Sequence, residues 1–304
     1  MNAQSGIFAL GTPEHAYLEF DLRPGEHAVA LVAAVAALAD PLSTVGGVNL
    51  VLGFRPELWA EVAEPADVPA SARSWTEDLV GADGYTMPAT QRDAVVWVAG
   101  VDRTAVFDNG RAVIDGLAAV AVLRRETTGW HYRQDRDLTG FIDGTENPSL
   151  LEAPDVALVP PGQPGAGSSV LLLQMWDHDS DTWERLPVAD QERVIGRSKP
   201  DSIEIDEALM PADSHVSRTV LEVDGEELPI FRRNVAFGGV SGHGTAFVGF
   251  SCDQWRLAEM LRRMAGVGDG VRDALTCYTT PVTGGYYTVP SVTALARFAP
   301  PEED

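Results

Sequence analysis

Short apolar or alternating runs recur along this chain and predict strands over residues 15–22, 46–54, 94–101, 130–138, 169–178, 229–236 and 245–251. Between them, apolar residues at helical spacing predict helices over 25–40, 56–62, 103–123, 187–196 and 253–265, with a further short one over 269–276. Pro41 stops the first helix and Pro56 opens the second. Asp253 suits the N-cap of the helix that follows it, and Gly266 lies just past that helix's end. Residues 64–85, rich in Pro, Ala and Asp, and 154–168, rich in Pro and Gly, read as loops. Strands and helices alternate in the same style in both halves. The pattern predicts an α+β fold of two units, 1–128 and 129–304, each an antiparallel sheet with helices packed on it.

Composition narrows the function classes. The chain has 304 residues, 45% of them hydrophobic, enough for a sizeable core. Its formal net charge of -23 argues against nucleic acid or an anionic membrane surface as a partner, because both demand positive charge. Cys252 and Cys277 have neither disulfide-framework nor metal-site spacing, which fits a reducing compartment. Residues 1–11 lack the basic and apolar regions of a signal peptide, and the longest apolar run, 28–39, is too short to span a bilayer. A soluble, cytoplasmic protein is expected.

The chemistry centres on Gly140-Phe141-Ile142-Asp143-Gly144-Thr145-Glu146-Asn147-Pro148. Glycines around Asp143 permit tight turns and close approach by another group, and Pro148 resists helix continuation. Two readings stand: an Asp-Gly hairpin turn, or a rigid loop presenting Asp143 to a pocket. None of the six histidines has zinc-hydrolase spacing. His178, among alternating acids in Asp177-His178-Asp179-Ser180-Asp181, lacks a calcium loop's Gly and Glu and reads as a solvated hairpin turn. His215 stands alone before an apolar run, either as an ordinary histidine or as a haem-iron ligand. In a strand through Phe231-Arg232-Arg233-Asn234, Arg232 and Asn234 share one face and Arg233 takes the other. A charge among apolar residues is costly without a partner, so Arg232 is either a salt-bridged strand end or a donor aimed at a ligand.

Together these residues resemble the dye-decolourising peroxidases, a haem peroxidase family, and within it the B-type subgroup. Gly140 to Gly144 matches that family's GxxDG motif in its extended form through Pro148. Pro88-Ala89-Thr90-Gln91 and the run from Gln191 to Lys199 resemble the same family, and the similarity extends from about residue 14 to 292. The resemblance implies two ferredoxin-like units with one haem b per chain in the C-terminal unit. It implies His215 as proximal iron ligand, Asp273 or alternatively Asp269 as its acidic partner, and Asp143, Arg232 and Asn234 as the distal set. It further implies Arg197 on a haem propionate, Phe247 as an apolar wall, and Glu146 and Asn147 along the peroxide route. The implied activity is oxidation of dyes and phenolic or other bulky donors by hydrogen peroxide through a ferryl intermediate. Surface aromatics would pass the electrons, with Trp97, Trp176, Trp183, Trp255, Tyr278, Tyr286 and Tyr287 as candidates, each alternatively a core-packing residue. A homo-oligomer is implied as well. The alternative is a haem-handling protein that releases iron; it would use the same His215, but it needs no acid–base group.

Overall fold

The computed structural model describes residues 3–38 and 47–300. In the first half, β1 (Glu14–Leu22), α1 (Ala28–Ala36) and β2 (Val48–Phe54) lead into α2 (Pro56–Val62). A small hairpin of β3 (Leu79–Val80) and β4 (Thr86–Met87) precedes β5 (Ala94–Gly100), α3 (Arg103–Leu117) and β6 (Ala121–Trp130). The main strands pair antiparallel in the order β6-β1-β5-β2. In chain order that is fourth, first, third, second, the ferredoxin-like arrangement with α1 and α3 as its crossovers.

The second half repeats it. Helix α4 (Ala153–Ala157) precedes β7 (Ser169–His178), followed by α5 (Ser180–Glu184), α6 (Val188–Ile195) and α7 (His215–Thr219). Next come a hairpin of β8 (Glu222–Val223) and β9 (Glu226–Glu227), then β10 (Phe231–Arg232), β11 (Val235–Gly238) and β12 (His243–Ser251). Helix α8 (Gln254–Met264), β13 (Thr279–Pro281), β14 (Gly285–Val289) and α9 (Val292–Leu295) complete it. Strands β11-β12-β7-β14 lie side by side, the same order read from the other end.

The two sheets meet at both ends. Strand β11 pairs with β6, and β14 pairs with β2, so eight strands close into a ring. The interior of that ring holds Tyr17, Val95, Trp97, Leu171, Leu173, Val248, Phe250 and Tyr287, all buried. Alternate residues point outward: Leu18, Phe20, Val96 and Val98 pack under the first-half helices, while Val170, Leu172 and Trp176 pack under α8. Strand β5 is therefore buried on both faces, which accounts for its unbroken apolar run. Residue 128 lies within β6, which hydrogen-bonds β1 on one edge and β11 on the other.

Several expected elements differ. Helix α3 ends at Leu117, and residues up to 123 turn into β6, because pairing with β1 overrides helix-forming residues such as Ala118 and Leu123. The strand expected over 130–138 is instead a turn, with Arg133, Gln134 and Asp135 all in the left-handed region. The strand expected over 229–236 is two strands interrupted at Arg233 and Asn234. Here the Asn234 side-chain oxygen accepts from the Val248 N–H. The loop expected over 154–168 begins inside α4, and the helix expected over 269–276 is a 3-10 turn, Ala274–Cys277. Asp40, Pro41 and Gly46, which bound the first predicted helix and second predicted strand, lie outside the described residues. No helix among the described residues is long and apolar enough to cross a membrane.

Candidate active site

A cavity opens between the outer face of the second-half sheet and helices α7 and α8. Its empty space, mouth included, is about 1420 Å³. Met260, Leu261 and Met264 of α8 and Val216 and Val220 line one side; Phe247, Gln174, Trp176 and Thr245 of the sheet line another. Strand register explains the second set. Phe247 pairs with Gln174 and Thr245 with Trp176, and side chains directly opposite project from the same face.

His215 is the first residue of α7. Ser214 caps that helix, accepting from the Ser217 N–H. Arg263 of α8 donates to the Ser217 and Val220 carbonyls, while Arg218 donates to the Arg263 carbonyl, so α7 is tied to α8. The His215 Nδ1–H donates to Asp273 Oδ2 at 2.7 Å, and Asp273 is 0% exposed. That bond fixes the tautomer and leaves Nε2 as a lone-pair donor. Asp269, the alternative, pairs instead with Arg218 at 2.8 Å.

The motif loop is both of the things the sequence left open: a tight turn and a residue-presenting loop. The Asp137 N–H donates to the Phe141 carbonyl, the Gly140 N–H to the Asp137 carbonyl, and the Asp143 N–H to the Asp135 carbonyl. Gly140 has φ +90°, and a Cβ there would meet the Lys199 side chain at 2.7 Å. Lys199, the one lysine, lies over the Phe141 ring and donates to Gln191 Oε1. Arg136 donates to the Gly140, Lys199 and Pro200 carbonyls, clamping the loop against the segment after α6.

Asp143, Arg232 and Asn234 line this cavity and a second one that adjoins it. Among the described residues, neither the Asp143 carboxylate nor the Arg232 guanidinium has a hydrogen bond or ion pair. Asn234 accepts from the Val248 N–H with its side-chain oxygen, which commits the oxygen and not the amide N–H groups. Arg233 projects into the ring instead, over the Trp97 ring and bonded to Gly6, Ile7 and Thr12. Burial holds its guanidinium down, to about 10.

Arg197 and Glu146 also line the cavity. The Arg197 guanidinium is held by Glu146 at 2.8 Å, by Glu204, and by the Ser202 carbonyl. Asn147 lines the adjoining cavity, with its amide taken by the Arg232 backbone. Of the aromatic candidates, Trp97, Trp176, Trp183, Tyr286 and Tyr287 are buried, whereas Trp255 is 47% exposed and adjoins Arg256, which lines the cavity.

Among the wall residues that sequence reasoning missed are Asp137, Gln174, His178 and Thr245. His178 is not in a solvated turn. It ends β7 with its ring in the cavity wall, and the acid beside it, Asp179, caps α5. Gln174 was legible as a lone amide inside Val-Leu-Leu-Leu-Gln-Met-Trp; it is 0% exposed with both amide atoms unpartnered. An orphaned amide beside Phe247 and Trp176, on a wall that also carries Asp137, His178 and Thr245, fits a large, mostly apolar ligand with polar edges. A lone histidine with an acid behind it, facing that space, fits haem.

The chain is similar to known proteins. Residues 134–294 match the family model described as Dyp-type peroxidase, C-terminal. A dye-decolorizing peroxidase of Rhodococcus erythropolis is 36% identical over 251 residues, covering 81% of this chain and 73% of its own. One from Mycobacterium tuberculosis is 33% identical over 288 residues, covering 87% and 85%. Among solved structures, DyPB of Rhodococcus jostii superposes with a TM-score of 0.87 at 31% identity, over 96% of this chain and 97% of its own. The ferredoxin-like halves, the family match and these relatives agree: the chain belongs to the Dyp-type peroxidases, a family of haem-dependent enzymes.

Proposed function

We propose that the cavity holds one haem b, with His215 Nε2 as the proximal ligand, and that the enzyme reduces hydrogen peroxide with electrons from dyes, phenols or other bulky donors. The observation that carries this reading is the unpaired couple of Asp143 and Arg232 on one cavity wall. Charges left without protein partners at a cavity are expensive unless a ligand or reacting group uses them. Haem binding alone requires no such couple, so haem handling is the weaker reading.

Haem supplies the iron that binds peroxide and the oxidising equivalents passed to donors. Asp143 takes a proton from one peroxide oxygen and returns it to the other, which leaves as water. The Arg232 guanidinium and the Asn234 amide N–H stabilise negative charge developing on that leaving oxygen. Asp273, accepting from His215 Nδ1, keeps the imidazole in one tautomer and makes it a stronger donor. Arg197, which already holds Glu146 and Glu204, would hold a haem propionate as a further carboxylate. Phe247 and the α8 methionines would hold the haem in apolar surroundings and exclude water from it. Self-association and a cytoplasmic location belong to the same reading; light scattering tests the first and cell fractionation the second.

Stopped-flow absorbance of the haem-loaded protein with hydrogen peroxide tests the assignment. The wild type is expected to show a rapid Soret change, slowed by about 10²-fold in Asp143→Ala, Arg232→Leu or both. A normal haem spectrum unresponsive to peroxide in all three proteins would return the reading to haem handling.

A further inference from the structure

We propose that Asp137, Thr245 and His178 form a proton relay along the cavity wall, resupplying the space that Asp143 also lines. The proposal rests on the peroxidase reading above and concerns a step that Asp143 does not perform. Reducing hydrogen peroxide to two waters with donors that give only electrons consumes two protons per peroxide. Asp143 moves a proton between the two peroxide oxygens, which leaves that consumption unmet.

The geometry supplies a directed chain. Thr245 Oγ–H donates to Asp137 Oδ2, and the Asp137 Oδ1 accepts from the Thr139 N–H at 2.7 Å. With the Thr245 hydrogen so committed, the 3.0 Å contact between Thr245 Oγ1 and His178 Nε2 has His178 as donor. The chain therefore reads His178 Nε2–H to Thr245 Oγ–H to Asp137. At its inner end, Asp137 and Thr245 line both cavities, the two that Asp143 also lines. At its other end, His178 lines the first cavity but not the second, and is partly accessible, between exposed Asp177 and partly accessible His243, which is held by Ser180 and the Gly239 carbonyl.

The charge states suit transfer. Burial pushes the Asp137 carboxyl up, but the His178 charge and the bonds from Thr245 and Thr139 together bring it below the ordinary range. Burial likewise pulls the His178 imidazole down, against the attraction of Asp137 and Asp177 and with repulsion from His243. The two directions leave Asp137 the accepting end of the pair and His178 the donating end. A proton arriving at His178 Nδ1 lets Nε2–H pass to Thr245 and the Thr245 proton pass to Asp137. Protonated Asp137 then delivers it to the cavity; no atom is left over and no electron moves.

The test follows bulk proton uptake with an indicator dye in weakly buffered solution. The haem-loaded enzyme is pulsed with peroxide and ABTS, a donor that loses an electron and no proton. Thr245→Val, which keeps the shape and removes the hydroxyl, is expected to slow uptake about tenfold or more, with the rate restored in Thr245→Ser. Asp137→Asn is expected to do the same and covers the case in which Thr245→Val fails to load haem. Uptake in both variants within about twofold of wild type, while the wild type still responds to peroxide, would overturn the relay alone. A wild type that does not respond to peroxide would overturn the peroxidase reading beneath it. Slowing that Thr245→Ser does not rescue would mark Thr245 as packing and also overturn the relay.

Discussion

The side-chain amide of Asn147 closes two hydrogen bonds on the backbone of Arg232, accepting from its N–H and donating to its carbonyl, each 2.8 Å long. A residue of the motif loop thereby occupies the pairing positions of a missing neighbour strand. It sets the distance between the loop that carries Asp143 and the strand that carries Arg232.

Asn147→Ala is expected to lower stability by about 1–3 kcal/mol through the two lost bonds. The displaced guanidinium should also slow the peroxide reaction by about tenfold or more. Thermal unfolding and stopped-flow mixing read the two effects separately. An unchanged peroxide rate in a destabilised variant would leave Asn147 as a structural tie only.

The buried Asp273 offers a second test. Replacing it with Asn weakens the acceptor behind His215 Nδ1 and makes the imidazole a poorer donor. Spectroelectrochemical titration of the loaded variant is expected to show a ferric/ferrous potential raised by about 60 mV, a tenfold change in a one-electron equilibrium. An unshifted potential would remove Asp273 from the electronic role and leave it as the cap of the 3-10 turn that starts at Ala274.

Inside the strand ring, His15 makes stability depend on acidity. Burial, the nearby Arg233 charge and His131 pull its imidazole from 6.5 down to about 3, although its bond to the Thr12 carbonyl opposes them. Its Nε2–H donates to Thr12 and its Nδ1 accepts from Trp97, so only the neutral ring fits. Because the folded value is depressed, the stabilisation is fully present above the unfolded value. It is lost as pH falls through 6.5 towards about 3. Between pH 7.5 and 5 the loss from this one group is about 2 kcal/mol. Guanidinium unfolding at both pH values should show a smaller acid loss in His15→Gln than in wild type. Equal losses would contradict the assignment.

The sequence made the outline of this protein readable and left its seams hidden. Strands buried on one or both faces announced themselves by periodicity, as in β5 and β7, and the N-cap Asp253 and the helix after it lie where capping chemistry puts them. Residues 118–123 misled because Ala, Val and Leu suit a helix, and only the distant partner β1 makes them strand. The GxxDG loop, His215, Arg232 and Asn234 could be named from motif and order, and they line one cavity. Asp137, Thr245 and His178 could not, since each is ordinary in its own local sequence. Their association is created by the register of β12 against β7 and by the turn before the motif.

The closed ring of strands has a consequence for how the molecule can be divided. Asp143, His215, Arg232 and Asn234 all belong to the second half, yet that half alone would bare the edges of β11 and β14 that β6 and β2 now cover. Bare edges are templates for self-association. The first half therefore acts as a resident guard for the second, denying foreign chains the place its own strands occupy. Engineering that exchanges or trims it should be judged first by solubility, and only then by turnover.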